Sequence, residues 1–281
     1  MTEHAKNDRH KERLVRMTWL VLRHGERTDA VFGANWPDRV FVRRTKDAAQ
    51  AGAAGWWEWA YKRTSSELPR NIPWRLPLRA PQDYALDPPL TERGVTQANR
   101  VGATIARALS KTNAPTVFML ISPALRSVQT AQRIFIALKH AQVRVKLVQV
   151  DERLLEAASP AAHGVWLSDA RLKRLELLPK KATARFQVQL RPKEAKQRLS
   201  ERAAYARHAS LAQEWASVAS EPATYVICVA HAYTARVLSR QLAAPSVPAD
   251  IGYCATTRFE AAVSPVGAWI ASAFSPGHAS S

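Results

Sequence analysis

Leu20-Val21-Leu22-Arg23-His24-Gly25-Glu26-Arg27 decides how this chain is read. The apolar run from Thr18 to Leu22 has the pattern of a buried strand. It stops at an arginine and a histidine side by side, then a glycine, then a second charged pair. So much charge at the carboxyl end of a central strand is costly unless a ligand or counter-charge meets it. Two arginines around one histidine suit a phosphate: guanidinium forks bind its oxygens, and an imidazole can attack phosphorus. Taken alone, the stretch also fits a surface turn with an accidental histidine.

The rest of the chain supplies the context. Its 281 residues allow one large α/β domain or two small ones, and a hydrophobic content of 47% marks a globular protein. Lysine and arginine number 41 against 23 acidic residues, a formal net charge of +18. That excess favours an anionic partner: a phosphorylated substrate, nucleic acid or a membrane surface. A generally basic surface with no specific partner fits equally. The two cysteines, Cys228 and Cys254, imply no disulfide framework and suit a reducing compartment. Residues 1–16 are polar, without an apolar signal core, and no long apolar run marks a membrane span. The expectation is a cytoplasmic protein, with a nuclear location also compatible, and no membrane partner.

Strand and helix signals alternate. Residues 17–22, 117–121, 143–150 and 225–230 read as strands, and 253–260 with 267–274 as two more. Residues 90–109 carry apolar positions at helical spacing, with Thr91 as N-cap. Ser122-Pro123 reads as a helix start, serine at the cap and proline at the first position, for a helix to His140. Residues 233–242 form a further helix. Within the long segment 28–89, rich in tryptophan and proline, Ala48 to Lys62 suggests a short helix. Its tryptophans suit core packing better than an aromatic pocket. Residues 157–222 are helix-rich, most strongly from Lys193 to Val218, and read as a cap. The expected organisation is a polar tail (1–16), one domain (17–275) interrupted by those two insertions, and a short tail (276–281).

This alternation implies an α/β/α sandwich with a mostly parallel sheet, whose ligand sits beyond the carboxyl ends of the strands. Three strand ends carry chemistry: Arg23-His24, Ser122 with Arg126 in the following helix, and His231. The free N–H groups of the helix after Ser122 favour an anion. Each residue also has a plain alternative, Arg126 as a solvated helix-end arginine and His231 as a satisfied core histidine. Spacing alone does not say which histidine attacks.

These residues carry a resemblance. Arg23-His24-Gly25-Glu26 resembles the signature of the histidine phosphatase superfamily, the phosphoglycerate-mutase-like proteins. Pro89-Leu90-Thr91 with Gly94, Gln97 and Ala98 resembles its second motif, and Ser122 to Arg126 with Gln129-Thr130-Ala131 its third. Leu154-x-Glu156 resembles the acid motif, and Val229-Ala230-His231 the last. Within the superfamily, Arg27, Asp29, Phe32-Gly33, Trp36 and Asp87-Pro88-Pro89 are similar to the suppressor of T-cell receptor signalling phosphatases and their ecdysteroid-phosphate phosphatase relatives. A catalytic domain without ubiquitin-associated and SH3 domains is expected.

The resemblance implies the residue roles. His24 is the nucleophile. Arg23, Arg27, Arg126 and His231 bind the phosphoryl oxygens. Glu156 is the general acid and then the base, in preference to Glu26, Asp151 or Glu152. Ser122 fits an N-cap better than a catalyst. No metal or other cofactor is expected, because arginines replace the metal as counter-charge. The expected substrate is a phosphate monoester, small or on a protein, with phosphotyrosine and aromatic or steroid phosphates foremost. A homodimer follows from the habits of the branch. Two further functions stay open. One is a phosphoglycerate mutase. The other is a non-catalytic binder of phosphoproteins or nucleic acid, against which stand the intact catalytic positions and a basic region, Arg171 to Arg207, without interleaved aromatics.

Overall fold

A computed structural model describes residues 15–43, 59–61, 70–73, 76, 84–85, 87–156, 201–216, 223–241, 250–263, 269–271 and 275–276. The expected helix at 48–62 lies mostly outside these, and its last described residues, Trp59–Tyr61, form a strand instead. Most of the 157–222 region, Trp56, Trp57, Trp74 and nearly all of both tails also lie outside.

The elements follow in chain order: β1 (Val15–Arg23), α1 (Thr28–Phe32), α2 (Trp36–Val40), β2 (Phe41–Arg43), β3 (Trp59–Tyr61), α3 (Glu92–Ser110), β4 (Thr116–Ile121), α4 (Leu125–His140), β5 (Val145–Val150), a 3-10 turn (Glu152–Leu154), α5 (Glu201–Ala216), β6 (Thr224–Ala230), α6 (Ala232–Gln241), β7 (Thr256–Val263), β8 (Trp269–Ala271) and β9 (Ser275–Pro276). The main sheet has seven strands in the order β5-β4-β6-β1-β7-β8, with β9 on β7. The first four positions are mutually parallel, and β7 to β9 pair antiparallel at the other side. A small separate hairpin joins β2 and β3.

Parallel strands buried on both faces explain the near-continuous apolar runs of β1, β4 and β6. Between β4 and β5 the chain builds outward. It then returns to place β6 between β4 and β1, which puts the carboxyl ends of these three strands side by side. Their register is level: Arg23 pairs with Ala230, and Ile121 with Val229. One apolar cluster packs α3 and α4 on one face of the sheet, with Leu109, Leu125, Ile134 and Leu138 against Met119, Ile121 and Val229. A second packs α5 and α6 on the other face, with Leu211, Trp215 and Leu238 against Trp19, Leu120 and Cys228. Each such side chain contributes about 1.5–3 kcal/mol on burial. The result is the expected α/β/α sandwich.

Trp36 belongs to the first cluster, fully buried against Phe41 and Tyr84 at ring distances of 6.4 and 6.0 Å. For this tryptophan the core-packing expectation holds. Both cysteines are buried and unpaired. Burial pushes the Cys228 thiol up, and that of Cys254 up to about 12. No described helix is long and apolar enough to cross a membrane.

Candidate active site

The loop after β1 carries His24, and the residues around it are occupied with holding that loop still. The backbone N–H of His24 bonds to Ala230 O at 3.0 Å, extending the sheet by one rung. Gly25 N–H donates to Thr130 Oγ1 at 3.1 Å and Glu26 N–H to Gln97 Oε1 at 2.9 Å. Thr91 N–H donates to Glu26 O at 3.0 Å, and Leu90 N–H to Gln129 Oε1 at 2.8 Å. The Glu26 carboxylate accepts from Thr91 Oγ1 at 2.8 Å and Asn71 Nδ2 at 3.0 Å. Glu26 is thereby a brace. Thr91 also caps α3, accepting from Gly94 N–H at 2.9 Å, as its sequence position suggests.

Two motif glycines are explained by one close approach. A Cβ on Gly25 would lie 2.6 Å from Gly94 O, and a Cβ on Gly94 would lie 2.2 Å from Glu26 O. The His24 loop and the first turn of α3 therefore touch backbone to backbone, and only glycine permits it on both sides.

His24 is 3% exposed. Its Nδ1 lies 2.8 Å from Gly25 O, an atom that only accepts, so Nδ1 carries the proton. Its Nε2 lies 3.2 Å from Arg126 Nε, a group that only donates, so Nε2 offers its lone pair. The ring is thereby a neutral imidazole with the reactive lone pair turned into the site. Burial, and then the charges of Arg126, Arg23 and Arg27, push its pKa well below 6.5, against the opposing bond to Gly25.

Arg126 stands in the first turn of α4, 2% exposed. Its NH1 lies 3.6 Å from Asp87 Oδ1 and its NH2 3.7 Å from Glu156 Oε2. Burial lowers its pKa while Asp87 opposes the shift. His231 follows β6, with its ring 5.4 Å from that of His24 at 72°. Ser122 Oγ lies 2.9 Å from His231 Nε2, while Nδ1 is buried without a hydrogen-bond partner, 3.7 Å from Glu156 Oε2. Burial, followed by Arg126 and His24, pushes the His231 pKa well below 6.5. Glu156 sits on the turn after β5 with its side chain 34% exposed.

The structure thus brings His24, Arg126, His231 and Glu156 to one point beyond β1, β4 and β6. Arg23 adjoins it, but its guanidinium bonds to Ile251 O and lies 4.2 Å over the Tyr253 ring. Arg27 lies near, paired with Asp29 at 3.0 Å. Two readings of the second strand end, after β4, are corrected. Ser122 does not cap α4: the cap is Ala124, the helix begins at Leu125, and the serine faces His231. The N–H of Leu125 is not open to an anion either, because the buried Asp87 carboxylate accepts it at 2.9 and 3.2 Å. Asp87 and Tyr253, whose ring lies 5.9 Å from His24, escaped sequence reasoning as site residues. The Asp87-Pro88-Pro89 match was a signal for the first, and nothing local marked the second. Among the described residues no group of three or more His, Cys, Asp or Glu is placed to hold a metal.

Comparison with known proteins agrees with this geometry. The family model of the histidine phosphatase superfamily (branch 1) matches residues 76–260, starting within the long segment 28–89 that follows His24. The chain belongs to that superfamily. It is 35% identical over 120 residues to ubiquitin-associated and SH3 domain-containing protein A of Mus musculus, covering 43% of this chain and 16% of that protein. It is 34% identical over 130 residues to the B protein of Homo sapiens, covering 45% and 17%. The matched region thus spans under a fifth of the length of these relatives. The fold is similar to that of the ecdysone phosphate phosphatase of Bombix mori, solved with tungstate, at 20% identity and a TM-score of 0.56, covering 94% of this chain and 96% of that one.

Proposed function

We propose that this chain hydrolyses phosphate monoesters without a metal, through a phosphohistidine on His24 Nε2. The observation that carries this is the state of His24: neutral, with Nε2 unprotonated and aimed at a buried arginine. In the first half-reaction the Nε2 lone pair forms a bond to phosphorus as the ester P–O bond breaks. Glu156 gives its proton to the departing oxygen. In the second, the Glu156 carboxylate takes a proton from water, the water oxygen bonds to phosphorus, and the P–N bond breaks. Phosphate leaves and both residues are restored.

Arg126 is placed to turn its donors from Nε2 to the phosphoryl oxygens when substrate enters. Arg23, Arg27 and the unpartnered Nδ1 of His231 complete the cradle, with Ser122 donating to Nε2 so that Nδ1–H faces the anion. These charges replace the metal of other phosphoryl-transfer sites as stabilisers of the spreading negative charge. The substrate class we favour is an aromatic or steroid monoester, phosphotyrosine included. The partly exposed Tyr253 ring beside His24 supports it, as does the name of the ecdysone phosphate phosphatase. The chain as a single phosphatase domain with inserted segments 28–89 and 157–222 belongs to the same proposal.

Hydrolysis of p-nitrophenyl phosphate in EDTA, with His24→Ala alongside, tests it. Turnover by the wild type, reduced at least about 10³-fold in the variant, is expected. Acid quenching during turnover should trap phosphate on a histidine of the wild type alone. Equal turnover by both proteins, or transfer of phosphate within a substrate instead of its release, overturns the proposal.

A further inference from the structure

The strand ends fix His24, Arg126 and His231, but Glu156 stands six residues beyond the last residue of β5. Its contacts among the described residues do not fix it. The oxygen facing Arg126 and His231 lies 3.7 Å from each, beyond hydrogen-bond distance. The position of its carboxylate is therefore decided by the stem that carries it.

That stem is clasped by two arginines. Asp151 is the last residue tied to the sheet, its N–H bonded to Ile121 O at 2.9 Å. Arg153 folds back on it. Its backbone N–H donates to Asp151 Oδ1 at 2.9 Å, while Nε and NH2 take both carboxylate oxygens, at 2.9 and 2.6 Å. Its remaining nitrogen, NH1, crosses to Glu214 Oε2 on α5 at 2.7 Å. Two turns earlier on α5, Arg207 NH2 donates to Leu155 O at 3.3 Å, the carbonyl immediately before Glu156. Buried Leu154 seals the turn against Leu211 and Trp215 of the same helix.

We propose that Arg153 is a positioning residue for Glu156, setting the carboxylate by locking the 152–156 turn to Asp151 on one side and to α5 on the other. This rests on Glu156 being the general acid. An exposed ion pair would contribute little to such a lock. Arg153 is different, because its fork is bidentate to a buried carboxylate and has a second, separate acceptor on α5. Displacing a reacting group by about 1 Å costs on the order of 10²-fold in rate.

Leaving-group dependence separates positioning from stability. p-Nitrophenolate departs without a proton, whereas phenolate needs one from Glu156. Steady-state kinetics on p-nitrophenyl phosphate and phenyl phosphate should be run on the wild type, Glu156→Gln, Arg153→Met and Glu214→Gln. Arg153→Met is expected to lower kcat/KM, which reports only the steps through loss of the leaving group, by about 10- to 10²-fold for phenyl phosphate and by less than about threefold for p-nitrophenyl phosphate. Glu214→Gln, an exposed change that leaves the Asp151–Arg153 contact intact, should shift the same ratio in the same direction by less. It keeps the proposal testable if Arg153→Met fails to fold. Should Glu156→Gln lower kcat/KM for both substrates equally, Glu156 is not the general acid and the proposal falls with it. A selective loss in Glu156→Gln with an unchanged ratio in the folded position-153 and position-214 variants overturns the positioning role alone.

Discussion

His24 and Glu156 meet at one point from opposite sides, the first on a loop held by buried hydrogen bonds, the second on a turn held by charge. Around His24, three side-chain oxygens (Thr130, Gln97 and Gln129) accept backbone N–H groups of the loop and its neighbour Leu90, and two glycines allow backbone contact. Around Glu156, two arginines reach across from or toward a helix, and the carboxylate itself remains one-third exposed. Short-range hydrogen bonds in a dry site fix direction closely. Ion pairs near solvent tolerate small movements. In the proposed mechanism His24 performs one task at one atom. Glu156 there gives a proton to a departing oxygen and later takes one from water, and a tether with some play suits two partners arriving at different positions.

The comparison breaks most severely at the backbone contact. Gly94→Ala places a methyl group 2.2 Å from Glu26 O, and neither backbone can retreat without losing the hydrogen bonds that hold the loop. A destabilisation of about 3 kcal/mol is expected, measured by denaturant unfolding, with activity lost on both aryl substrates alike. No such uniform loss accompanies changes at Arg153.

Acid tests the rigid side from another direction. His24 and His231 are buried neutral with pKa values pushed well below 6.5. In the unfolded chain they bind protons as pH falls through about 6.5, while the folded protein does not. Stability contributed by keeping them neutral is therefore full above pH 6.5 and declines below it, by about 1.4 kcal/mol per pH unit for each histidine, until the folded groups titrate. Unfolding free energy measured between pH 7 and pH 5.5 should show this slope, and His231→Gln should reduce it by the share of one histidine. An unchanged slope would mean that the ring is not held neutral.

The smallest effect sharpens the comparison within the motif set. Thr91→Ala removes the α3 cap and one donor to Glu26, and should cost about 1 kcal/mol. Thr91→Ser should restore most of it, and neither should alter the ratio of phenyl to p-nitrophenyl phosphate turnover.

Much of this was legible in the sequence. β1, β4 and β6 announce themselves as apolar runs because both faces of each are buried, and α3 by its spacing and threonine cap. His24, Arg126 and His231 stand at strand ends, where chain order alone points to a shared edge of the sheet. What escaped depended on distant partners. Ser122-Pro123 has the local pattern of a helix start, yet the helix begins later because Asp87, far back in the chain, receives the first N–H, and His231 takes the serine. Tyr253 matters through the guanidinium it lies beneath, and no periodicity records that. The clasp on Glu156 was equally hidden, since Arg153 and Glu214 look like ordinary surface charges until α5 packs beside the turn.

The place of β6 in the sheet has a consequence for how the molecule comes into being. Every sheet partner of β1 lies beyond residue 223, in β6 and β7. As the chain emerges from the ribosome, its first strand waits, apolar on both faces and with both edges open, while β4 and β5 are made and can pair with each other. Only when β6 arrives does one strand join the two halves, and the same event delivers His231 beside His24. The long wait makes folding slow and the unfinished chain prone to aggregate. It also means that His24 and His231 cannot come together before the strand that completes the sheet is in place.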